Sequence, residues 1–302
     1  MRVSQAYTQD IFLSNLRKVK AQLDEALARS SSGKRVRFAS DDPAAAGELL
    51  RLADEAQKLT ARQHGLSQAR PWLQLTEQAV SELSTVLISA QQTAIQGASE
   101  TMKPEQMKAL AEAIRGLRQQ VSGLTELRVS GRFIFSGTQT TTNPYDAAGV
   151  YQGNDRRIEV PIDDVTVAIS LPADEVFGEL TSPGDATTPP AGSGAMGILA
   201  QLEWALDHGD QAMVQSLLDP LRGVITDNSA MLAHIGTQRK ILEDGDLRLA
   251  DRRLAVESRA ADLGAADMAE ALSDVAMFQT NYSVTLQAGA QLYGPNFFDY
   301  LG

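Results

Sequence analysis

A heptad repeat of apolar residues dominates the first third of the sequence. Between residues 52 and 94, every seventh position holds leucine, valine or alanine. On a helix such positions form one stripe, which another helix must cover. The repeat predicts a long coiled-coil helix from Pro43 to about Ala98, on the order of 80 Å long at ~1.5 Å per residue. It consists of Leu52, Leu59, Leu66, Leu73, Val80, Leu87 and Ala94, flanked by Leu49, Ala56, Leu83 and Ala90.

Two features weaken this helix in its middle. Pro71 lacks the amide N–H that a helix interior needs, so we expect the helix to kink or to split near Ala69, and both outcomes stay open. The second stripe position is also polar there, with Gln63, Arg70 and Glu77. Both features act against one uninterrupted helix in this stretch.

A further helix is predicted to begin at Pro104, because proline is favoured in the first helical turn. Its connection to the preceding helix is short, so the two helices should pack antiparallel. Its apolar stripe is Met107, Leu110, Ile114, Leu117, Val121 and Leu124.

Both ends of the chain carry narrow apolar stripes at helical spacing. The first lies between Ser4 and Ser30, and the last follows a break at Gly264. Another stripe begins at Asp219-Pro220, a favourable helix start, and continues to about Ala260. A terminal stripe fits equally a helix that faces the core and a helix that awaits a partner. The terminal stripes are Phe12, Leu13, Leu16, Val19, Leu23 and Leu27, and Met268, Leu272, Val275, Phe278, Tyr282 and Leu286.

The middle of the chain changes from helical spacing to alternation. Residues 132–137, 158–162 and 165–171 read as half-buried antiparallel strands, with a turn at residues 153–155 between two of them. This β insert should end near Gly178. The Pro-, Gly- and Thr-rich stretch 181–197 predicts a flexible surface connection.

The expected fold is mainly α with a β insert: a long antiparallel coiled-coil rod formed by the N- and C-terminal segments, plus a small β-rich middle domain. The predicted segments are a terminal helix (1–42), rod helices (43–130), the β-rich domain with its linker (131–196), further rod helices (197–263) and a second terminal helix (264–302).

Composition argues against several functional classes. The net charge of −11 disfavours nucleic acid and anionic membranes as partners. There is no cysteine, which excludes disulfides and thiol chemistry. The first ten residues lack the pattern of a cleaved signal peptide, and no apolar run reaches the length of a membrane helix.

No constellation of residues predicts catalysis. The histidines His64, His208 and His234 are too far apart in sequence for a helical zinc motif. Residues 192–197 match the glycine spacing of a dinucleotide loop, but a Pro-rich stretch precedes them where a strand is required. We therefore predict no catalytic, cofactor or metal residue and no enzymatic activity.

Several motifs resemble the flagellin family, and within it the hook-associated proteins. The N-terminal ones are residues 31–36 (SSGKRV) and 40–45 (SDDPAA). Residues 131–138 (GRFIFSGT), 151–154 (YQGN) and 165–177 are similar to the family's middle domain, and residues 267–271 (DMAEA) and 298–301 (FDYL) to its C-terminal end. These motifs extend along the whole chain in the family's order.

This resemblance implies a structural subunit at the junction of hook and filament. The implied partners are flagellin, the hook-proximal hook-associated protein, copies of the chain in a ring, an export chaperone and the flagellar export apparatus. It also implies an extracellular location in the bacterial flagellum, reached by type III export without a cleaved signal. The terminal helices of such subunits pair on polymerisation.

We predict an assembly interface on the two terminal stripes. A short helix with a narrow stripe is marginal alone, but burying each leucine contributes ~1.5–3 kcal/mol once a neighbour arrives. The alternatives are a short filament-forming flagellin, and an enzyme or coiled-coil adaptor without a flagellar role. The predicted interface is Leu13, Leu16, Val19, Leu23 and Leu27 with Val275, Phe278, Tyr282 and Leu286.

Overall fold

The fold is mainly helical with small antiparallel strand pairs in the middle of the chain, as predicted. The computed structural model describes residues 2–99, 102–162 and 165–293, with the side chains of 2–6, 8, 9, 292 and 293 left aside. The predicted C-terminal motif at 298–301 lies outside these residues. The elements are α1 (Arg2–Ser32), α2 (Pro43–Gly97), α3 (Pro104–Thr125), β1 (Arg128–Val129), β2 (Arg132–Phe133), β3 (Glu159–Ile162), β4 (Val165–Ala168), α4 (Ala173–Phe177), β5 (Leu180–Ser182), β6 (Ala191–Gly192), α5 (Gly194–Asp207), α6 (Gln211–Gly264) and α7 (Met268–Tyr293).

The chain divides into two compact units. The terminal unit contains residues 1–59 and 252–302, and the central unit contains residues 60–251. Helices α2 and α6 each contribute residues to both units. The division into five segments proposed from the sequence stays a prediction.

The heptad prediction for α2 is confirmed, because every residue of the main stripe from Leu52 to Ala94 is buried. Helix α2 is also continuous through Pro71, so the helix does not split. Pro71 and Ser67, whose carbonyl loses its usual amide partner, are both on the exposed side of the helix. Water can satisfy that carbonyl there, which lets the helix tolerate the proline.

Helix α6 begins earlier than its sequence predicts. The predicted start at Asp219-Pro220 is wrong, since α6 runs from Gln211 through Pro220. The N-terminal cap is Asp210, whose Oδ1 accepts the Met213 amide at 2.9 Å. Asp219 instead pairs with Arg222 on the surface at 3.0 Å.

Helix α6 carries its own buried heptad column, Leu221, Asn228, Ile235, Leu242, Leu249 and Val256. In the central unit it runs antiparallel to α2. Arg70 pairs with Asp246 at 2.9 Å, and one heptad further on Glu77 pairs with Arg239 at 3.0 Å. Asn228 Nδ2 donates to the Val80 carbonyl at 3.2 Å.

Helices α3 and α5 complete the helical part of the central unit. Leu110 of α3 lies beside Gly97 at the end of α2, and Val86 of α2 and Leu124 of α3 line the same shallow pocket. Helices α2 and α3 are therefore antiparallel, as predicted. Glu203 of the largely buried α5 pairs with Arg115 and Arg118 of α3, at 2.7 and 3.2 Å.

Among the residues that the structure describes, the β region forms three separate two-stranded antiparallel pairs. The predicted strand at 132–137 is shorter than expected, with only Arg132–Phe133 in β2. The remainder of that segment lies in a core. There the Phe135 and Phe177 rings pack edge to face, with 4.9 Å between the ring centroids. Leu171, past the end of β4, packs against Val80 of α2 and Ile235 of α6.

The stretch 181–197 is not a flexible connection, because β5 pairs with β6 and α5 begins at Gly194. The glycine spacing in residues 192–197, which resembles that of a dinucleotide loop, has a structural origin in close backbone packing. Gly194 adopts φ +59°, and a Cβ atom there would lie 2.7 Å from the Gly178 Cα. The glycines therefore let two backbone segments approach each other closely.

Gly245 of α6 forms a notch that receives Ile162 of β3, and a Cβ atom there would lie 2.5 Å from Ile162 Cγ2. We predict that Gly245→Ala destabilises the protein by about 1–3 kcal/mol, because the β hairpin must shift outward. The matched control is Gly236→Ala, where a Cβ atom would have no neighbour within 4 Å. It should stabilise α6 by roughly 0.5–1 kcal/mol. Thermal unfolding followed by circular dichroism measures both, and equal effects would contradict the notch.

Candidate assembly site

The terminal unit is organised by two loops that pair with each other. Helix α1 ends at Ser32 and Gly33 follows with φ +64°, a helix-ending conformation that glycine adopts readily. Lys34 then forms an antiparallel bridge with Ala265, just after the end of α6. The Arg35 amide donates to the Gly264 carbonyl at 2.8 Å, and the Ala266 amide donates to the Gly33 carbonyl at 2.9 Å. These bonds hold the end of α1 beside the start of α7.

Arg35 links this bridge to the start of α2. Its guanidinium donates to the Leu263 carbonyl at 3.0 Å and to the Asp42 carboxylate at 3.1 Å. Asp42 Oδ1 also accepts the Ala45 amide at 3.0 Å, so Asp42 caps α2. Aspartate directly before Pro43 is typical of a helix cap, whereas no pattern in the sequence indicates the link between Arg35 and α6.

Two neighbouring carboxylates fix the loop between α1 and α2. Asp41 Oδ2 accepts the Arg37 and Phe38 amides at 3.0 and 2.9 Å. Hydrogen bonds from the Phe38 and Arg37 amides lower the pKa of Asp41, and the bond from the Ala45 amide, followed by that from Arg35, lowers the pKa of Asp42. Both loop carboxylates are therefore held in their charged form.

Helices α1 and α7 pack against each other in the terminal unit. Their contact includes the Phe12 ring and Gly289, where a Cβ atom would lie 2.4 Å from Phe12 Cζ. Because Lys34 and Ala265 meet at the other end, the two helices run antiparallel. The apolar stripe of α7 does not indicate that Phe12 packs on Gly289, because glycine has no apolar side chain to mark the position.

The predicted interface residues differ in exposure. Leu16 is buried at 8% exposure, while Leu27 is 47% exposed and Ala26 beside it is buried instead. The other predicted residues are half-buried: Leu13, Val19, Leu23, Val275, Phe278, Tyr282 and Leu286. The structure thus brings the two helices together within one chain, and the role of these residues in assembly stays a prediction.

The terminal unit also exposes large apolar side chains away from the contact between α1 and α7. Tyr7 and Ile11 of α1, and Met277 and Val284 of α7, are exposed. With 100° of rotation per residue, Tyr7 and Ile11 lie on the side of α1 opposite Leu16, and Met277 and Val284 on the side of α7 opposite Tyr282. The helical spacing of apolar residues indicates one inner stripe per helix, so it does not single out these outer residues. Exposed apolar side chains of this density are typical of surfaces that other chains cover.

Over residues 2–99, 102–162 and 165–293 there is no group of three or more histidine and acidic side chains that could hold a metal ion. In the same ranges, no helix combines the length and hydrophobicity needed to cross a bilayer. Burial raises the pKa of Tyr145, and of Tyr151 to about 12, so both phenols stay protonated and donate to backbone carbonyls.

A helical chain whose two ends pair in one unit, with strands inserted in the other, has the fold of flagellar hook-associated proteins. Flagellar hook-associated protein 3 from Legionella pneumophila superposes with a TM-score of 0.60 at 14% identity, over 70% of this chain and 98% of that one. FlgL from Bacillus cereus superposes with a TM-score of 0.57 at 18% identity, over 70% of this chain and 99% of that one.

Sequence comparison gives the same result over nearly the whole chain. Flagellar hook-associated protein 3 of Escherichia coli is 26% identical over 96% of this chain and 98% of its own length. The Salmonella typhimurium protein of the same name is 24% identical over 99% of both. The family of the bacterial flagellin N-terminal helical region matches residues 3–140. The resemblance predicted from the motifs is confirmed.

The terminal unit should lose stability in acid. The folded pKa values of Asp41 and Asp42 lie below the value of about 3.9 for an unfolded aspartate, so their hydrogen bonds contribute fully above that pH. This contribution is lost as the pH falls through the folded pKa values. The Asp41→Asn/Asp42→Asn variant keeps an oxygen acceptor but does not titrate, so its melting temperature should depend less on pH below about 4.

The matched control for this experiment is Asp262→Asn, at an exposed aspartate of α6 in the same unit. Melting curves recorded by circular dichroism from pH ~7 to pH ~2.5 give the comparison. An unchanged acid profile in the double variant would show that the two loop carboxylates do not couple to folding.

Proposed function

We propose that this chain is a structural subunit of the bacterial flagellum, located at the junction between hook and filament. The observation that carries the proposal is the end-to-end likeness to flagellar hook-associated protein 3 of two bacteria, with 98% and 99% of those proteins covered. Both chain ends and the middle take part in this likeness, so it extends to both units.

A filament-forming flagellin is the weaker alternative. A flagellin from Salmonella enteritidis is 25% identical over only 52% of this chain and 29% of its own length. That match spans 159 aligned residues, whereas the match to the Escherichia coli hook-associated protein spans 311. A chain of this length with a hook-associated fold is therefore better explained as a junction subunit than as a filament subunit.

Assembly through the terminal unit has a simple physical basis. Helices α1 and α7 cover one face of each other and leave apolar side chains on their outer faces. Burying one such side chain against a neighbouring copy contributes ~1.5–3 kcal/mol, and several together offset the entropy lost on association. In this proposal, the paired ends of one copy are completed by the paired ends of adjoining copies.

The proposed partners follow from this location. They are copies of the chain in a ring, flagellin on one side and the hook-proximal hook-associated protein on the other. Delivery to an extracellular position would use an export chaperone and the flagellar export apparatus, without a cleaved signal peptide. The protein is proposed to act by binding its neighbours, without catalysis, cofactor or metal, nucleic acid or insertion into a membrane.

Electron microscopy of a deletion strain tests the location. We expect hooks without filaments, with flagellin lost to the medium. Strains that carry the chain without residues 1–30 or 270–302 should show the same defect, although the central unit still folds. Normal filaments from either truncation, or filaments that react along their whole length with an antibody to this chain, would contradict a junction role.

Two leucines of α1 separate folding from assembly. Leu16→Ala should destabilise the monomer by about 2 kcal/mol or more, because Leu16 is buried against its surroundings. Leu27→Ala should change monomer stability by less than about 0.5 kcal/mol, since Leu27 is exposed, yet it should reduce filament number in the complemented deletion strain. Leu247→Ala, at an exposed leucine of the central unit, is the matched control. Full filament assembly by the Leu27 variant would remove Leu27 from the interface.

A further inference from the structure

An open apolar groove lies in the terminal unit beside the loop bridge. Its volume is about 690 Å³, and it is bounded by the loop after α1, the start of α2 and the end of α6. Small residues form much of its lining, among them Ala46, Ala53, Ala261 and Gly264. Gly264 leaves room for Leu49, whose methyl groups lie 3.4 and 3.5 Å from the position of a Cβ atom.

Two large apolar side chains line this groove and face solvent. Phe38 is 63% exposed and Leu50 is 73% exposed, the highest value among the large apolar residues of the described chain. A single depression with small residues in its lining and exposed large ones around it favours an occupant that carries bulky apolar groups.

The groove also presents positive charge and an unused donor. Lys34 and Arg37 both contribute to its lining. Arg37 Nε is buried and has no hydrogen-bond acceptor among the described residues. A buried guanidinium donor without an acceptor is costly, and a carboxylate is its strongest partner. The occupant should therefore be both bulky and acidic.

One segment of this chain has that composition. Residues 297–301 read Phe-Phe-Asp-Tyr-Leu, with three aromatic rings and a leucine around a single carboxylate at Asp299. This segment lies outside the residues that the structure describes. Its bulky groups suit the apolar lining, and Asp299 suits Lys34 and Arg37.

The segment of the same copy cannot reach its own groove. Helix α7 starts at Met268, three residues after the bridge at Ala265, and leads away from it for 26 residues. At ~1.5 Å per residue, Tyr293 is about 39 Å from the bridge end of the helix. Residues 294–301 extend for at most ~27 Å at ~3.4 Å per residue. We infer that the groove binds residues 297–301 of another copy of this chain.

This inference deepens the proposed function, because it assigns one contact between copies, and binding of a peptide tests it without a flagellum. The probe is a fluorescent peptide of residues 294–302, added to the full chain and followed by anisotropy. Leu50→Asp should weaken binding at least ~10-fold, the equivalent of losing one buried leucine. The matched control Leu254→Asp, at an exposed leucine of α6 in the same unit that does not line the groove, should bind normally. Equal binding by both variants, or by a scrambled peptide, would overturn the inference.

A charge exchange tests the acidic contact. The peptide with Asp299→Lys should bind the natural chain more weakly and regain affinity for the Lys34→Glu/Arg37→Glu variant. If the exchange fails to restore affinity, the carboxylate does not meet these two residues and the inference is overturned as stated.

Disulfide trapping tests whether the contact joins two copies, and the absence of natural cysteine makes it selective. Ala53→Cys and Leu301→Cys chains, mixed under oxidising conditions, should form a dimer that contains one of each. A disulfide that forms only within one chain carrying both substitutions would overturn the inference. Absent peptide binding together with hooks that lack filaments would overturn this contact alone and leave the junction role intact.

Discussion

The heptad packing of α2 and α6 is the interaction on which the rest of the structure depends. In both units these helices bury a residue at every seventh position, and opposite charges meet across them at the same interval. In the terminal unit, Glu48 pairs with Arg259 and Glu55 with Arg252, at 3.0 and 3.1 Å. In the central unit, this packing provides a surface against which Leu171 and Ile162 of the β region pack. In the terminal unit, it places the end of α6 where the loop after α1 can pair with it.

Charge and a buried amide make this packing specific for one register. In the central unit the two ion pairs have opposite polarity, because α2 supplies the positive partner at Arg70 and the negative partner at Glu77. Sliding α6 by one heptad would place Arg239 opposite Arg70, or Asp246 opposite Glu77, so the slipped registers are penalised. Asn228 adds to this, because its Nδ2 meets the Val80 carbonyl while its Oδ1 has no partner among the described residues. A buried polar group of this kind costs stability and disfavours alternative alignments.

The parts of the fold that sequence could predict are those governed by local spacing. The stripe of α2, the cap at Asp42 and the strands at 159–162 and 165–168 follow from periodicity and from capping chemistry within a few residues. The errors arise where tertiary packing overrides a local signal. Asp219-Pro220 has the chemistry of a helix start, but Asp210 caps α6 first and Pro220 is tolerated on its surface. The stretch 181–197 has the composition of a flexible connection, yet close packing of Gly194 against Gly178 and of Gly192 against Glu179 orders it.

The candidate site was predictable to a similar degree. The terminal stripes identified the two helices that meet, but Leu27 lies on the exposed side and Ala26 takes the buried place, because helix orientation is set by partners distant in sequence. The contact between Phe12 and Gly289 and the link from Arg35 to Leu263 both join the two ends of the chain. Without knowledge of which residues meet, neither pattern can be read from one end alone.

The loop bridge between Gly33 and Ala266 has a mechanical consequence. Its bonds cross between two antiparallel segments, roughly perpendicular to the chain. A tension along either terminal helix therefore loads the Arg35 and Ala266 amide bonds together, and they must rupture at once for the ends to separate. At the opposite end of this helix pair, the Phe12 ring packs on the backbone of Gly289. Under traction the bridge would therefore transmit force from the paired terminal helices into α2 and α6.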